Sequence, residues 1–136
     1  MSDCKCSCSG TGGESSCATN AATKSVYACA GASNVGLISY DLGIELHKQA
    51  KYKLSCAVGV GADICGFTDA AKADDNGNLL IDGCPVGCLK QMFDNKGITN
   101  YDHIVVTEMG VKKEGVFEYD KAIIPKLIQE IDEMGL

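Results

Sequence analysis

Nine of the 136 residues are cysteine, and their placement is the first chemical signal in the chain. A thiolate is a soft metal ligand and a strong nucleophile, so what matters is which cysteines can meet. In the stretch Leu79-Leu80-Ile81-Asp82-Gly83-Cys84-Pro85-Val86-Gly87-Cys88, an apolar run of strand length ends in Asp-Gly, a turn signal. A cysteine, a proline suited to the first helical position and a second cysteine follow. The reading is strand, sharp turn, helix. With Cys84 as N-cap and Pro85 opening the helix, Cys88 stands one turn up on the same face, and both sulfurs enter one small volume. The positive end of the helix dipole favours thiolate there, so Cys84 is expected to titrate below a free thiol. Read alone, the pair could equally be two small buried hydrophobes.

Two further cysteines share this setting. Cys29 ends the apolar run Ser25-Val26-Tyr27-Ala28, and Cys56 ends Lys53-Leu54-Ser55. From Cys29 to Cys56 is 27 residues, and from Cys56 to Cys84 is 28. Each interval is the length of one strand, one helix and two turns. Parallel strands joined by right-handed helical crossovers carry all their carboxyl ends on one sheet edge. Three cysteines at three strand ends, with Cys88 as a fourth, therefore meet at one rim. In a reducing compartment four such thiols suit a metal ion better than disulfides. The sulfurs of Cys29, Cys56, Cys84 and Cys88 are expected close enough to share one ion, with zinc the default.

The elements that position them read in order as follows. Residues 1–24 contain Cys4, Cys6, Cys8 and Cys17 among Ser, Gly, Thr, Ala and Asn, with no large apolar residue after Met1. They read as a flexible arm whose closely spaced thiols form at most an accessory metal site. Residues 25–136 read as a single α/β domain with a four-stranded, mostly parallel sheet and flanking helices, a Rossmann-like three-layer arrangement. After the first strand, Ser33 or Asn34 caps a helix whose apolar face is Val35, Ile38, Leu42 and Leu46. After the second, Gly59 and Gly61 let backbone approach the rim. A helix with Ile64, Phe67 and Ala71 inward reaches Ala73, and Cys65 inside it reads as packing. The fourth strand is His103 to Thr107, with no cysteine at its end. A charged hairpin-like stretch, Lys112 to Glu118, leads to a last helix from about Asp120.

Composition narrows the function. Mean hydropathy is near zero and the hydrophobic content of 46% is enough for a core. No apolar run approaches a membrane span and no secretory core opens the chain, so the expected location is cytoplasmic. A net charge of −6 argues against nucleic acid and anionic membranes as partners, which leaves a metal ion as the expected one. All twelve basic residues are lysine, so a phosphatase-type loop after Cys29 lacks the arginine that would close on phosphate. Gly59-x-Gly61 lacks the remainder of a dinucleotide fingerprint, and Leu79 occupies the glycine position of a calcium loop begun at Asp74. His103, opening a strand, falls at the edge opposite the cysteines, and His47 lies about 20 Å down its helix, so both read as structural.

Val26 to Gly36, Leu54 to Gly61 and Asp82 to Cys88 together resemble the DGC-domain family of zinc-binding proteins, over residues 25 to about 134. The resemblance implies that Cys29, Cys56, Cys84 and Cys88 are the family's four chelators. Cys65 and the four cysteines of the arm exceed that set. The leading expectation is a zinc-binding protein in a structural, sensing or trafficking role rather than an enzyme. One alternative is a redox or nucleophilic enzyme using Cys84 or Cys88, and another is an iron-sulfur cluster on the same thiols. Anion binding by the loop from Cys29 to Gly36 is a third, resting on fold analogy.

Overall fold

A computed structural model describes residues 23–136. In chain order the elements are β1 (Lys24–Ala28), α1 (Asn34–Lys48), β2 (Tyr52–Leu54), α2 (Ala57–Gly61), α3 (Cys65–Ala73), β3 (Asn78–Asp82), α4 (Cys88–Asn95), β4 (Tyr101–Val105) and α5 (Ile123–Met134), with a 3-10 turn at Val106–Met109. The strands form one sheet in the order β2-β1-β3-β4, and every neighbouring pair is parallel. The domain is an α/β fold, and the sheet is wholly rather than mostly parallel.

The sheet is covered on both faces, which is why its central strands are almost continuously apolar. Val26, Ala28, Leu79 and Ile81 point to one face, where they pack with Val35, Ile38, Leu42 and Leu46 of α1 and with Ile124, Leu127, Ile128 and Ile131 of α5. Tyr27 and Leu80 point to the other, against Val60 of α2, Ala71 of α3 and Leu89 and Phe93 of α4. The Tyr27 and Phe93 rings meet edge to face at 4.9 Å between centroids. From β1 the chain crosses by α1 to β2. It then passes by α2 and α3 back over β1 to β3, and by α4 to β4. The loops after β1 and β3 therefore diverge to opposite faces, and this is where α/β sheets open a crevice at their carboxyl edge.

Several boundaries differ from those read in the sequence. Lys24 belongs to β1, paired with Tyr52 of β2 and ion-paired with Asp102. The expected arm otherwise lies outside the described residues. β4 is two residues earlier than expected because the Thr107 N–H turns back to the Gly83 carbonyl at 3.3 Å instead of joining a ladder. The stretch after Gly110 forms no hairpin, and α5 starts at Ile123, with Asp120 capping the preceding turn through the Ala122 N–H at 2.9 Å. Pro125 then sits within the first turn of α5, where a missing N–H removes no helical bond. On α3 the inward residues are Thr68 and Ala71, while Ile64 and Phe67 are 45% and 40% exposed.

Candidate functional site

All four rim cysteines lie beyond carboxyl ends of parallel strands, hence on one edge of the sheet. Cys29 directly follows β1, Cys56 follows β2 and caps α2, Cys84 follows β3, and Cys88 opens α4. Each carries a free thiol; Cys29 and Cys84 are partly buried, and Cys56 and Cys88 are exposed.

The turn after β3 is built differently from the expectation. Cys84 to Gly87 form a β-turn, closed by the Gly87 N–H on the Cys84 carbonyl at 3.1 Å, with Pro85 at its second position. Gly87 takes a left-handed conformation, φ 62°, and becomes the N-cap. The helix therefore begins at Cys88, and the cysteine at its positive end is Cys88 rather than Cys84. A proline suits either position, and the glycine that allows the left-handed residue decides between them.

Asp82 completes the turn. Its side chain is almost wholly buried, and its two carboxylate oxygens accept the N–H groups of Leu89 at 3.0 Å and Lys90 at 3.1 Å. The Nε2 of His103 reaches the same carboxylate at 2.9 Å. His103 thus lies mid-strand on β4, opposite Leu80, and not at the far edge. Neither role was visible in the sequence. The capped amides follow Asp82 by several residues and approach it only once the turn has folded.

Glycines press the rim loops together. A Cβ on Gly36, in the first turn of α1, would stand 2.3 Å from the Gly31 carbonyl oxygen, and one on Gly83 would stand 3.0 Å from the Val35 backbone. The first turn of α1 consequently meets the loop before it and Gly83, just beyond β3, backbone to backbone. Cys29 sits in this contact, with the N–H groups of Gly83 and Gly31 directed at its sulfur. Burial pushes its thiol up, those two N–H groups pull it down, and the nearby charges of Asp82 and Cys88 add to the rise. On the outer side, Asn34 ties the segment after the 3-10 turn to α1, and Lys113 of that segment donates to Cys84 Sγ at 3.4 Å. On the other side, Cys88 lines an open depression of about 520 Å³ with Gly61, Val86 and Met92, between α2 and α4. A groove of about 440 Å³ between α1 and α5, lined by Ile44, Tyr119 and Ile124 among others, carries no cysteine.

The rim is shared, yet the sulfurs are not gathered. Among the described residues no three His, Cys, Asp or Glu side chains are grouped closely enough to hold a metal ion. The local hydrogen bonds give a physical reason. The Cys29 sulfur is engaged by two amides, that of Cys56 by the Gly59 N–H at 3.3 Å, and that of Cys84 by Lys113. Cys65 opens α3 and follows no strand directly, and Cys4, Cys6, Cys8 and Cys17 lie outside the described residues. As a donor set the four rim thiols fit a thiophilic metal: they are soft, they are four, and N–H donors already face two of them as outer partners.

A family model described as the DGC domain matches residues 25–131. The anaerobic and virulence modulator AnvM of Pseudomonas aeruginosa is similar to this chain, 29% identical over 109 residues that span 80% of the chain and 82% of AnvM. No solved structure gives a significant match. No described helix is long and apolar enough to cross a membrane.

Proposed function

The chain belongs to the DGC-domain family, and from that membership and the rim we propose that it binds one zinc ion through Cys29, Cys56, Cys84 and Cys88. The observation that carries this reading is the placement of four free thiols beyond three successive parallel strands, on loops packed tightly at one sheet edge. The N–H groups of Gly31, Gly83 and Gly59 can go on donating to sulfur after ligation, which offsets part of the charge of the thiolates. Four thiolate ligands would leave zinc no position for a water, so the roles that fit are structural, sensing or trafficking.

The name of AnvM, an anaerobic and virulence modulator, favours the sensing role over the purely structural one. Thiolates hold metal in reducing conditions and release it on oxidation, and two of the four here are exposed to oxidants.

Protein purified without oxygen tests the reading by elemental analysis, a thiol count and a visible spectrum. The expected result is one zinc per chain, no visible absorbance, and protection of Cys29, Cys56, Cys84 and Cys88 from alkylation until chelator is added. The double variant C84S/C88S should lose the zinc. Equal alkylation of the four with and without zinc would overturn the proposal, and iron with a charge-transfer band would replace zinc by a cluster.

A further inference from the structure

We propose that Lys113, fixed by Asn34, is the charge partner of the rim thiolates and governs how tightly they retain metal. This rests on the zinc reading above and adds to it a residue outside the cysteine set. Asn34, almost wholly buried at the head of α1, makes three hydrogen bonds to the segment after the 3-10 turn. Its backbone N–H donates to the Glu114 carbonyl at 3.3 Å and its Nδ2 to the Lys112 carbonyl at 2.9 Å, while its Oδ1 accepts the Glu114 N–H at 2.8 Å. These bonds bracket Lys113 on both sides, so its backbone is held where no helix or strand would hold it. From that position its ammonium reaches Cys84 Sγ at 3.4 Å. The adjoining Lys112 and Glu114 pair with each other at 3.6 Å, and that pair leaves Lys113 as the cation of the segment directed at the rim.

The chemistry asks for such a group. Four thiolates around a divalent ion carry two excess negative charges, in a chain whose own net charge is −6 and which has no arginine. An ammonium beside one sulfur lowers the cost of assembling that charge, and a donor to sulfur holds the ligand in place. A lysine that merely solvated the segment would be indifferent to replacement by another polar residue.

The test compares wild type, K113R, K113A and K113E as full-length protein. Zinc affinity is read by competition with a chromophoric chelator, the zinc off-rate by chelator trapping, and the melting temperature on metal-free samples. Expected are near-wild-type retention for K113R, a loss of affinity of about tenfold for K113A and a larger one for K113E, in line with what outer partners of metal ligands contribute. Metal-free melting temperatures should not move, because the side chain is exposed. In an Asn34→Ala background the effect of K113A should shrink, since the ammonium is no longer held; if N34A fails to fold, the Lys113 series stands alone. Unchanged affinity and off-rate in K113E would overturn the proposal while leaving zinc binding intact. A wild type that takes up no zinc through its cysteines would remove both.

Discussion

Asp82 carries more structure than any other residue of the rim. Its carboxylate caps α4 from the end of β3 and accepts the His103 ring, all in a nearly solvent-free position. Replacing it with alanine uncovers two helix-terminal amides and leaves the histidine without its acceptor. The expected loss is about 2–3 kcal/mol, the sum of a lost cap and an unpaired buried donor. Urea unfolding of D82A should show a lower midpoint with an unchanged slope; a stability within error of wild type would show that water replaces the carboxylate. At this scale the sequence was informative about the cysteines and silent about their supports. The positions of Cys29, Cys56 and Cys84 were legible because each stands within two residues of the end of a recognisable strand. Asp82 reads only as half of a turn signal, and His103 reads as the first residue of a strand that in fact begins two residues earlier, at Tyr101.

Among the elements, α1 was the most legible, with Ser33 at its cap and an apolar step of three and four residues ending where Gln49 closes it. The short α2 was not legible: two glycines in five residues oppose a helix, and it forms because Cys56 caps it and Val60 is buried under the sheet. The joint between α1 and the rim loops gives a graded test. G36A puts a methyl group 2.3 Å from one backbone atom and 2.6 Å from another, so the loop itself must move, at a cost of about 3 kcal/mol. G83A meets the Val35 backbone at 3.0 Å and needs only a small shift, about 1 kcal/mol. G59A meets the Phe67 ring at 2.6 Å, but that ring is partly exposed and can swing aside, so the helix propensity of alanine should leave stability close to wild type. Thermal melts should rank them G59A, G83A, G36A from most to least stable, and a different order would mean the joint is looser than its contacts imply.

For the molecule as a whole, several wholly or partly buried acids resist ionisation. Tyr119 is pushed well up by burial and by donating its hydroxyl to the Asp41 carboxylate, and burial also raises Tyr27, Tyr52 and Cys29. The sign of the linkage follows. Below the unfolded-chain values, about 8.5 for cysteine and about 10 for tyrosine, these groups are neutral in both states and their contribution is fully present. As pH rises past those values the unfolded chain ionises first, so the metal-free protein should lose stability progressively from about pH 9 upward. Y119F should be less stable at neutral pH by about 1 kcal/mol, for the lost hydrogen bond to a partly exposed carboxylate, and should decline less steeply in alkali. Urea midpoints from about pH 8 to 11 measure both effects; parallel curves for the two proteins would show that Tyr119 ionises as freely folded as unfolded.

The strand order also sets a timetable for synthesis. β1 pairs with β2 and β3, Lys24 facing Tyr52 and Ser25 facing Asn78, so neither of its edges can be covered until a full crossover has emerged. At ribosomal speeds of about 5–20 residues per second, the carboxyl end of β1 waits several seconds for its second neighbour. Cys29 spends that time at the end of a strand with one edge still open, without the Gly83 amide that later faces it. A hairpin would have covered the same thiol within moments of its emergence. The nascent chain is thus open to oxidants and stray metal ions for as long as its parallel topology takes to close.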